Sequence, residues 1–370
     1  MTVNVLVVDD SALMRKVVSD ILTEDPDIKV IATARNGLEA VEKVEQLRPD
    51  VVTLDIEMPV LDGLHALGYI MSECPTPVVM LTAVDSKSAE STLNAFEYGA
   101  VDFIQKPSGN ISLNIADIAK EIRIKVKMAS KVDLKKLGFM EEHVKKSRDL
   151  VKEKSSHTTK KKPVAPKNKV HHANGKIIAI ASSTGGPRAL EQVIPKLPGN
   201  LKVPVVIVQH MPPGFTASLA QRLDGQSQIT ITEAKDGDVL HAGHAYLAPG
   251  NYHMEIVTKN KGGIYQQVVK LNQRPREQGV RPCANILFKS LVPIYGSKIV
   301  TAVLTGMGAD GADGAEDIKK AGGKVIVEDE KSCVVYGMPK AVVQRGLADE
   351  IVPLGRVASE IVRVLNTIGD

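Results

Sequence analysis

The sequence has no tryptophan, and its aromatic share is only 3%. Stacking platforms for nucleic-acid bases need such rings, so that class of function is poorly supplied. Cysteine is nearly absent too: Cys74, Cys283 and Cys333 are odd in number, far apart and without a CxxC pair. Neither a disulfide framework nor a zinc site follows from that pattern. No run of about 18 apolar residues occurs, so no membrane-spanning segment is expected. The opening Met1-Thr2-Val3-Asn4 lacks the charged and apolar regions of a signal peptide, which points to the cytoplasm. What is present is ordinary for a globular protein: 43% hydrophobic and 24% charged over 370 residues, enough for two or three domains.

The net charge of +4 invites a nucleic-acid reading until its location is known. Residues 146–176 hold ten Lys or Arg against Asp149 and Glu153, a net of +8 in a stretch poor in large apolar side chains. Such a segment buries too little surface to offset its ordering entropy and reads as a solvated tether. The other 339 residues balance to −4. The basic character therefore belongs to a linker, and no nucleic-acid partner is expected.

On either side of the tether, short apolar runs alternate with helical patterns. Val3–Val8, Lys29–Ala34, Val51–Leu54, Val78–Leu81 and Asp102–Gln105 read as buried parallel strands. Ser11–Leu22, Glu39–Leu47 and Ser88–Tyr98 carry helical spacing, with Ser11 a candidate N-cap. Beyond the tether, Ile177–Ala181, Val203–Gln209, Ile299–Leu304 and Lys324–Glu328 read as buried strands. Ile229–Thr232, His244–Ala248, Met254–Thr258 and Gln266–Leu271 read as a small antiparallel region. The expected architecture is α/β: a doubly wound domain over 1–128, a linker over 129–175, and a second doubly wound parallel-sheet domain over 176–370 with an antiparallel element.

Ligands of open parallel sheets gather at the carboxyl ends of the strands. In the first domain those ends carry Asp9 and Asp10, then Asp55, Thr82 and Lys106. Three carboxylates with room for water suit Mg²⁺, and Asp55, at the centre, is a candidate nucleophile toward a phosphoryl group. Lys106 would pair with phosphoryl oxygens, and Thr82 would bond to one of them. The segments VLVVDDSALMRK, VVTLDIEMPVLDGL, VVMLTA and DFIQKP resemble the response-regulator receiver family, whose fold is flavodoxin-like. The resemblance implies that Asp55 accepts phosphate from a histidine kinase. It implies further that Asp10, Asp55 and the Glu57 carbonyl hold Mg²⁺, with Asp9 beside them, and that Phe103 is the aromatic partner of Thr82 in a switch.

In the second domain Ser182-Ser183-Thr184-Gly185-Gly186-Pro187 joins a strand to a helix, a turn that exposes a serine hydroxyl near helix N–H groups. The same residues also suit a plain helix cap or a phosphate loop. His210 ends the next strand before Pro212-Pro213, placed as a general base. Asp310 lies in the loop Gly306-Met307-Gly308-Ala309-Asp310-Gly311, where it would orient His210 while a loop N–H serves an oxyanion. That loop also satisfies G-x-G-x-x-G, with Glu328 at the next strand end, a dinucleotide pattern in which Asp310 would repel the pyrophosphate. His241, His244 and His253 read as turn or surface histidines rather than metal ligands. Cys283 and Cys333 read as small buried residues.

ASSTGGP, QHMPPGFT, HAYLAPG, LTGMGADG and SCVVYGMP resemble the catalytic domain of the chemotaxis protein-glutamate methylesterase family. That resemblance implies a Ser183–His210–Asp310 triad, an oxyanion donor at the Met307 backbone and a supporting role for Thr184. It implies a monomeric hydrolase, controlled by phosphorylation and needing no cofactor for hydrolysis, that acts on glutamyl methyl esters of chemoreceptors and deamidates their glutamines. Arg281-Pro282-Cys283-Ala284-Asn285 departs from the family's usual Arg-Pro-Ser with an aspartate two residues on, which affects expected substrate contacts near Asn285.

Overall fold

The computed structural model describes residues 2–82, 86–106, 115–137 and 175–369. They fall into two units, within residues 1–160 and 161–370. The basic stretch up to Asn174, with His171 and His172, lies outside the described residues.

The first unit is built on five parallel strands, β1 (Val3–Val8), β2 (Ile28–Ala34), β3 (Val51–Asp55), β4 (Val78–Thr82) and β5 (Asp102–Gln105). Their order is β2-β1-β3-β4-β5. β3 and β4 are buried along their whole length, which is why they read as unbroken apolar runs without alternation. The chain passes from β1 to one side and returns for β3 on the other, so their carboxyl ends border a crevice. Helix Ala12–Thr23 starts where expected, with the Ser11 hydroxyl accepting from the Met14 N–H at 3.3 Å. Helix Gly63–Glu73 begins at a residue that must be glycine, because a Cβ there would lie 1.9 Å from the Asp55 carbonyl oxygen.

The second unit holds a seven-stranded parallel sheet ordered β14-β13-β12-β6-β7-β9-β8. Its members are β6 (Ile177–Ser182), β7 (Val205–Gln209), β8 (Thr230–Glu233), β9 (His244–Leu247), β12 (Ile299–Val303), β13 (Lys324–Glu328) and β14 (Glu350–Val352). β10 (His253–Lys261) and β11 (Ile264–Asn272) form a separate antiparallel hairpin. The four-stranded antiparallel region expected over 229–271 is thus half right. β8 and β9 join the main sheet instead, Ile231 pairing with Ala245 and Ala245 with Val205, all parallel. Short apolar runs do not encode strand direction; here residues 234–243 carry the chain back to start β9 alongside β8. β14, three residues at a sheet edge, is too short to show a period.

The reversal of strand order lies between β6 and β12, so the ends of β6, β7 and β12 bound the crevice of this sheet. Helix Ala284–Tyr295 covers the sheet with Leu287, Phe288 and Leu291 fully buried, each such side chain contributing about 1.5–3 kcal/mol. That packing presents the helix N-terminus to the crevice.

Candidate functional sites

At the carboxyl ends of β1 and β3, Asp9 and Asp55 are buried and Asp10 is exposed. The Lys106 ammonium sits 2.8 Å from Asp9 Oδ2 and 2.7 Å from Asp55 Oδ1. Asp55 Oδ1 also accepts the Ile56 N–H at 2.8 Å. Burial pushes the Asp55 carboxyl up to about 6, reinforced by the charge of Asp9 and opposed by Lys106. Lys106 is held charged: burial disfavours its ammonium, but the two carboxylates outweigh that. Ligand oxygens of Asp9, Asp10 and Asp55 lie within 4.8 Å of one another. One ammonium against three carboxylates leaves surplus negative charge on hard oxygen donors, a set that fits Mg²⁺. Glu57 and Asp10 line the same open groove.

Thr82 is buried, and its hydroxyl accepts from the Thr92 hydroxyl at 3.1 Å. Phe103 is buried edge-on against Phe96, with ring centroids 6.1 Å apart. The Lys125 ammonium lies 5.1 Å from the centroid of the Phe103 ring and donates to the Phe103 carbonyl at 2.6 Å. Thr82 and Phe103, the two residues expected to form a switch, are therefore both turned inward.

In the second unit, Asp310 receives His210 Nε2 at 2.8 Å on its Oδ2. The same carboxylate accepts the Ala284 N–H at 2.6 Å and, on Oδ1, the N–H groups of Asn285 and Gly311, each at 2.9 Å. The Cys283 thiol donates to Oδ1 at 3.0 Å. Burial alone would raise the Asp310 pKa; the His210 contact, the thiol and the backbone donors together lower it to about 2. Asp310 is thus held ionised chiefly by His210, and the Cys283 thiol and the first turn of a helix, a fixed source of partial positive charge, add to it.

Ser183 follows β6, and its N–H donates to the Thr305 carbonyl at 3.0 Å. Its hydroxyl has no hydrogen-bond partner among the described residues and is partly exposed. The loop after β12 lies directly against it: a Cβ on Gly306 would come within 2.8 Å of Ser183 Cβ. The Gly306 carbonyl accepts the N–H groups of Gly337 and Met338, at 3.1 and 2.8 Å. The Met307 N–H belongs to the same peptide plane and points the opposite way, with no acceptor among the described residues. The Thr184 carbonyl accepts the Thr305 hydroxyl at 3.0 Å.

Gln209, which the strand pattern gave no reason to single out, links the Ser183 loop to His210. Its Nε2 donates to the Ser183 carbonyl at 2.9 Å and the His210 carbonyl at 3.2 Å, while Oε1 accepts the Ser182 hydroxyl at 2.7 Å. The only sequence signal was its place just before His210. Asn285 is fully buried, and its Oδ1 accepts the N–H groups of Gly311 and Gly314, both at 2.9 Å. It caps the helix Ala312–Lys320, a structural role for the residue at which the Arg281–Asn285 segment departs from the family pattern.

The dinucleotide pattern fails on geometry. Asp310 is committed to His210 and the helix terminus, and the Glu328 carboxylate is buried against the Thr305 N–H at 2.8 Å. Neither is available to a ribose. His244 stacks on Tyr246 with centroids 4.2 Å apart and contacts the Thr232 hydroxyl, and His253 meets the Pro275 carbonyl. Among the described residues, the acids of the first unit are the only cluster able to hold a metal.

Family models give the same division of the chain into two kinds of domain. The one described as CheB methylesterase matches residues 178–361, and the response regulator receiver domain matches residues 5–116. A protein-glutamate methylesterase/protein-glutamine glutaminase from Methanosarcina acetivorans is 52% identical, covering 99% of this chain and all of its own. A protein of that description from Thermotoga maritima is 44% identical over 98% of each chain. The crystal structure of the Thermotoga maritima CheB methylesterase catalytic domain is 44% identical, covering 52% of this chain and 99% of that one, with a TM-score of 0.49.

Proposed function

Because the chain belongs to the protein-glutamate methylesterase/protein-glutamine glutaminase family, hydrolases that here carry a receiver domain, we propose that it demethylates glutamyl methyl esters of chemoreceptors. Release of methanol from the ester, and of ammonia from glutamine side chains, would adjust receptor signalling in chemotaxis. The observation that carries this reading is the ionised Asp310 bonded to His210, with Ser183 on the neighbouring strand end against the Gly306-Met307 loop.

In this mechanism His210 takes the Ser183 proton, and the serine oxygen attacks the ester carbonyl. The carbonyl oxygen becomes an oxyanion that accepts from the Met307 N–H, a reading supported by that N–H having no acceptor among the described residues. The tetrahedral adduct collapses as His210 returns the proton to the leaving methoxide, and methanol departs. Water then enters, His210 removes its proton, and hydrolysis of the acyl-serine restores the glutamate. Asp310 keeps Nε2 of the imidazole protonated throughout and stabilises the imidazolium.

The receiver supplies control. Asp55 is the nucleophile toward the phosphoryl group of a chemotaxis histidine kinase, and Lys106 holds the charge that arrives with it. Asp9, Asp10, Asp55 and the Glu57 carbonyl would hold Mg²⁺, which neutralises charge around the phosphoryl group. Phosphorylated Asp55 draws the Thr82 hydroxyl away from Thr92, and the changed receiver surface raises hydrolase turnover. A cytoplasmic location fits both partners.

The test is methanol release from methylated receptor membranes, with and without a small phosphodonor and Mg²⁺. Ser183→Ala is expected to abolish release, and the phosphodonor to raise it in the parent protein. Full activity in Ser183→Ala would overturn the assignment.

A further inference from the structure

Glu328, the acid of the rejected dinucleotide pattern, ends β13 with its side chain fully buried. Its Oε2 accepts the Thr305 N–H at 2.8 Å, and its Oε1 accepts the Ser332 hydroxyl at 3.1 Å. No cation is ion-paired with it among the described residues. A buried carboxylate without a counter-charge is costly unless its position does something.

Thr305 shows what that is. Its carbonyl accepts the Ser183 N–H at 3.0 Å, and its hydroxyl donates to the Thr184 carbonyl and accepts the Val335 N–H at 2.9 Å. The next residue, Gly306, donates its N–H to the Val335 carbonyl at 3.0 Å, and its own carbonyl fixes the plane that aims the Met307 N–H. Every polar group of Thr305 is thus used, and the side-chain group on its N–H is Glu328.

We propose that Glu328 is a positioning residue for hydrolysis: by clamping the Thr305 N–H, its carboxylate sets the backbone that holds Ser183 and aims the Met307 N–H. This rests on the roles given above to Ser183 and Met307. An ionised acceptor binds an N–H more strongly than a neutral one, so the clamp is tight only when Glu328 is charged. Burial, with the nearby charge of Asp329, pushes its carboxyl up to about 7 against the Thr305 N–H, the Ser332 hydroxyl and the Cys333 thiol. The clamp therefore loosens as pH falls through neutrality.

Two measurements on the full chain test this: the rate at which phenylmethylsulfonyl fluoride labels Ser183, which needs no receptor, and methanol release from receptor membranes. Glu328→Gln keeps an acceptor for Thr305 but no charge. It is expected to slow labelling and kcat about tenfold above neutral pH, the difference between a charged and a neutral acceptor, with KM unchanged. Its acid-side fall in rate should also be shallower, because the Glu328 carboxyl no longer titrates there. Ser332→Ala retains the carboxylate but removes one donor, so its acid limb should move to higher pH. It serves where Glu328→Gln does not fold. Parental labelling rates and pH profiles in both variants would overturn the proposal. If the parent labels but releases no methanol, the ester reading falls, and the labelling comparison still decides for or against Glu328.

Discussion

His210 turns Nε2 to Asp310 at 2.8 Å, which in the proposed mechanism leaves Nδ1 as the nitrogen to serve Ser183. The orientation is enforced from the carboxylate side, because Asp310 also receives three backbone N–H groups and a thiol. Asp310→Asn would turn an amide N–H toward donors already in place and release the imidazole. Methanol release is expected to fall by about 10³–10⁴-fold, as for loss of the orienting acid in other triads. The depressed pKa also has a stability signature. Its folded value of about 2 lies below the ordinary 3.8, so the contribution is present above pH 3.8 and lost as pH falls toward 2. Acid unfolding followed by circular dichroism should place roughly 2 kcal/mol in that window, absent from Asp310→Asn.

Cys283 is a second handle on the same carboxylate. Its thiol is fully buried, and burial together with the Asp310 charge pushes its pKa far above the usual range. Disulfide reagents should therefore leave it unmodified until the protein unfolds. Cys283→Ser keeps a donor to Asp310 Oδ1 and should retain activity. Cys283→Ala removes one of several donors, and a loss of about 1 kcal/mol in stability with a few-fold drop in kcat is expected. Equal behaviour of the two variants in methanol release would show that the thiol donor is dispensable.

The positions of the candidate site residues were legible because they stand at strand ends, which the sequence marks: Asp55 closes an apolar run, and His210 and Asp310 follow others. The supporting contacts were not. Glu328 and Gln209 act on backbone atoms of Thr305, Ser183 and His210, and nothing local in the sequence records which amide a side chain will reach. The motif marked Asn285 without showing its role, because capping the helix that begins at Ala312 depends on how two helices pack. The direction of β8 and β9 was hidden for a similar reason: four-residue runs carry burial but not pairing.

For Asp55, the proposed phosphoacceptor, the raised carboxyl predicts a pH dependence. Only the ionised form is a nucleophile, so phosphorylation by a small phosphodonor should decline as pH falls below about 6, well above the ordinary aspartate range. The folded state binds the extra proton between 3.8 and about 6, so this group makes the protein less stable as pH rises through that interval. Lys106→Ala removes the charge that opposes the shift and should move the decline to higher pH. Asp55→Asn is expected to give one hydrolase rate with or without phosphodonor, and chelation of divalent cations should likewise erase the response. Methanol release over a pH series checks all three.

Val60 carries a backbone cost that can be measured. It is a β-branched residue at φ +70°, 80% exposed, in the loop between Asp55 and Gly63. The left-handed region costs such a residue about 1–2 kcal/mol, and no burial returns it. The conformation does turn the loop: the Leu61 carbonyl reaches the Gly37 N–H and the Gly63 N–H reaches the Ile56 carbonyl, both at 2.9 Å. Those two bonds hold the loop that follows Asp55. Val60→Gly removes the steric cost and gives back about 0.5–1 kcal/mol as chain entropy, so a net gain of up to about 1 kcal/mol is expected. Val60→Asn, which tolerates positive φ with less entropy, should gain at least as much, whereas Val60→Pro, fixed near φ −65°, should destabilise. Urea unfolding of the receiver transition measures the order of the three. If glycine and asparagine stabilise while the rate of phosphodonor labelling at Asp55 is unchanged, the loop needs the left-handed turn but not the valine that strains to make it.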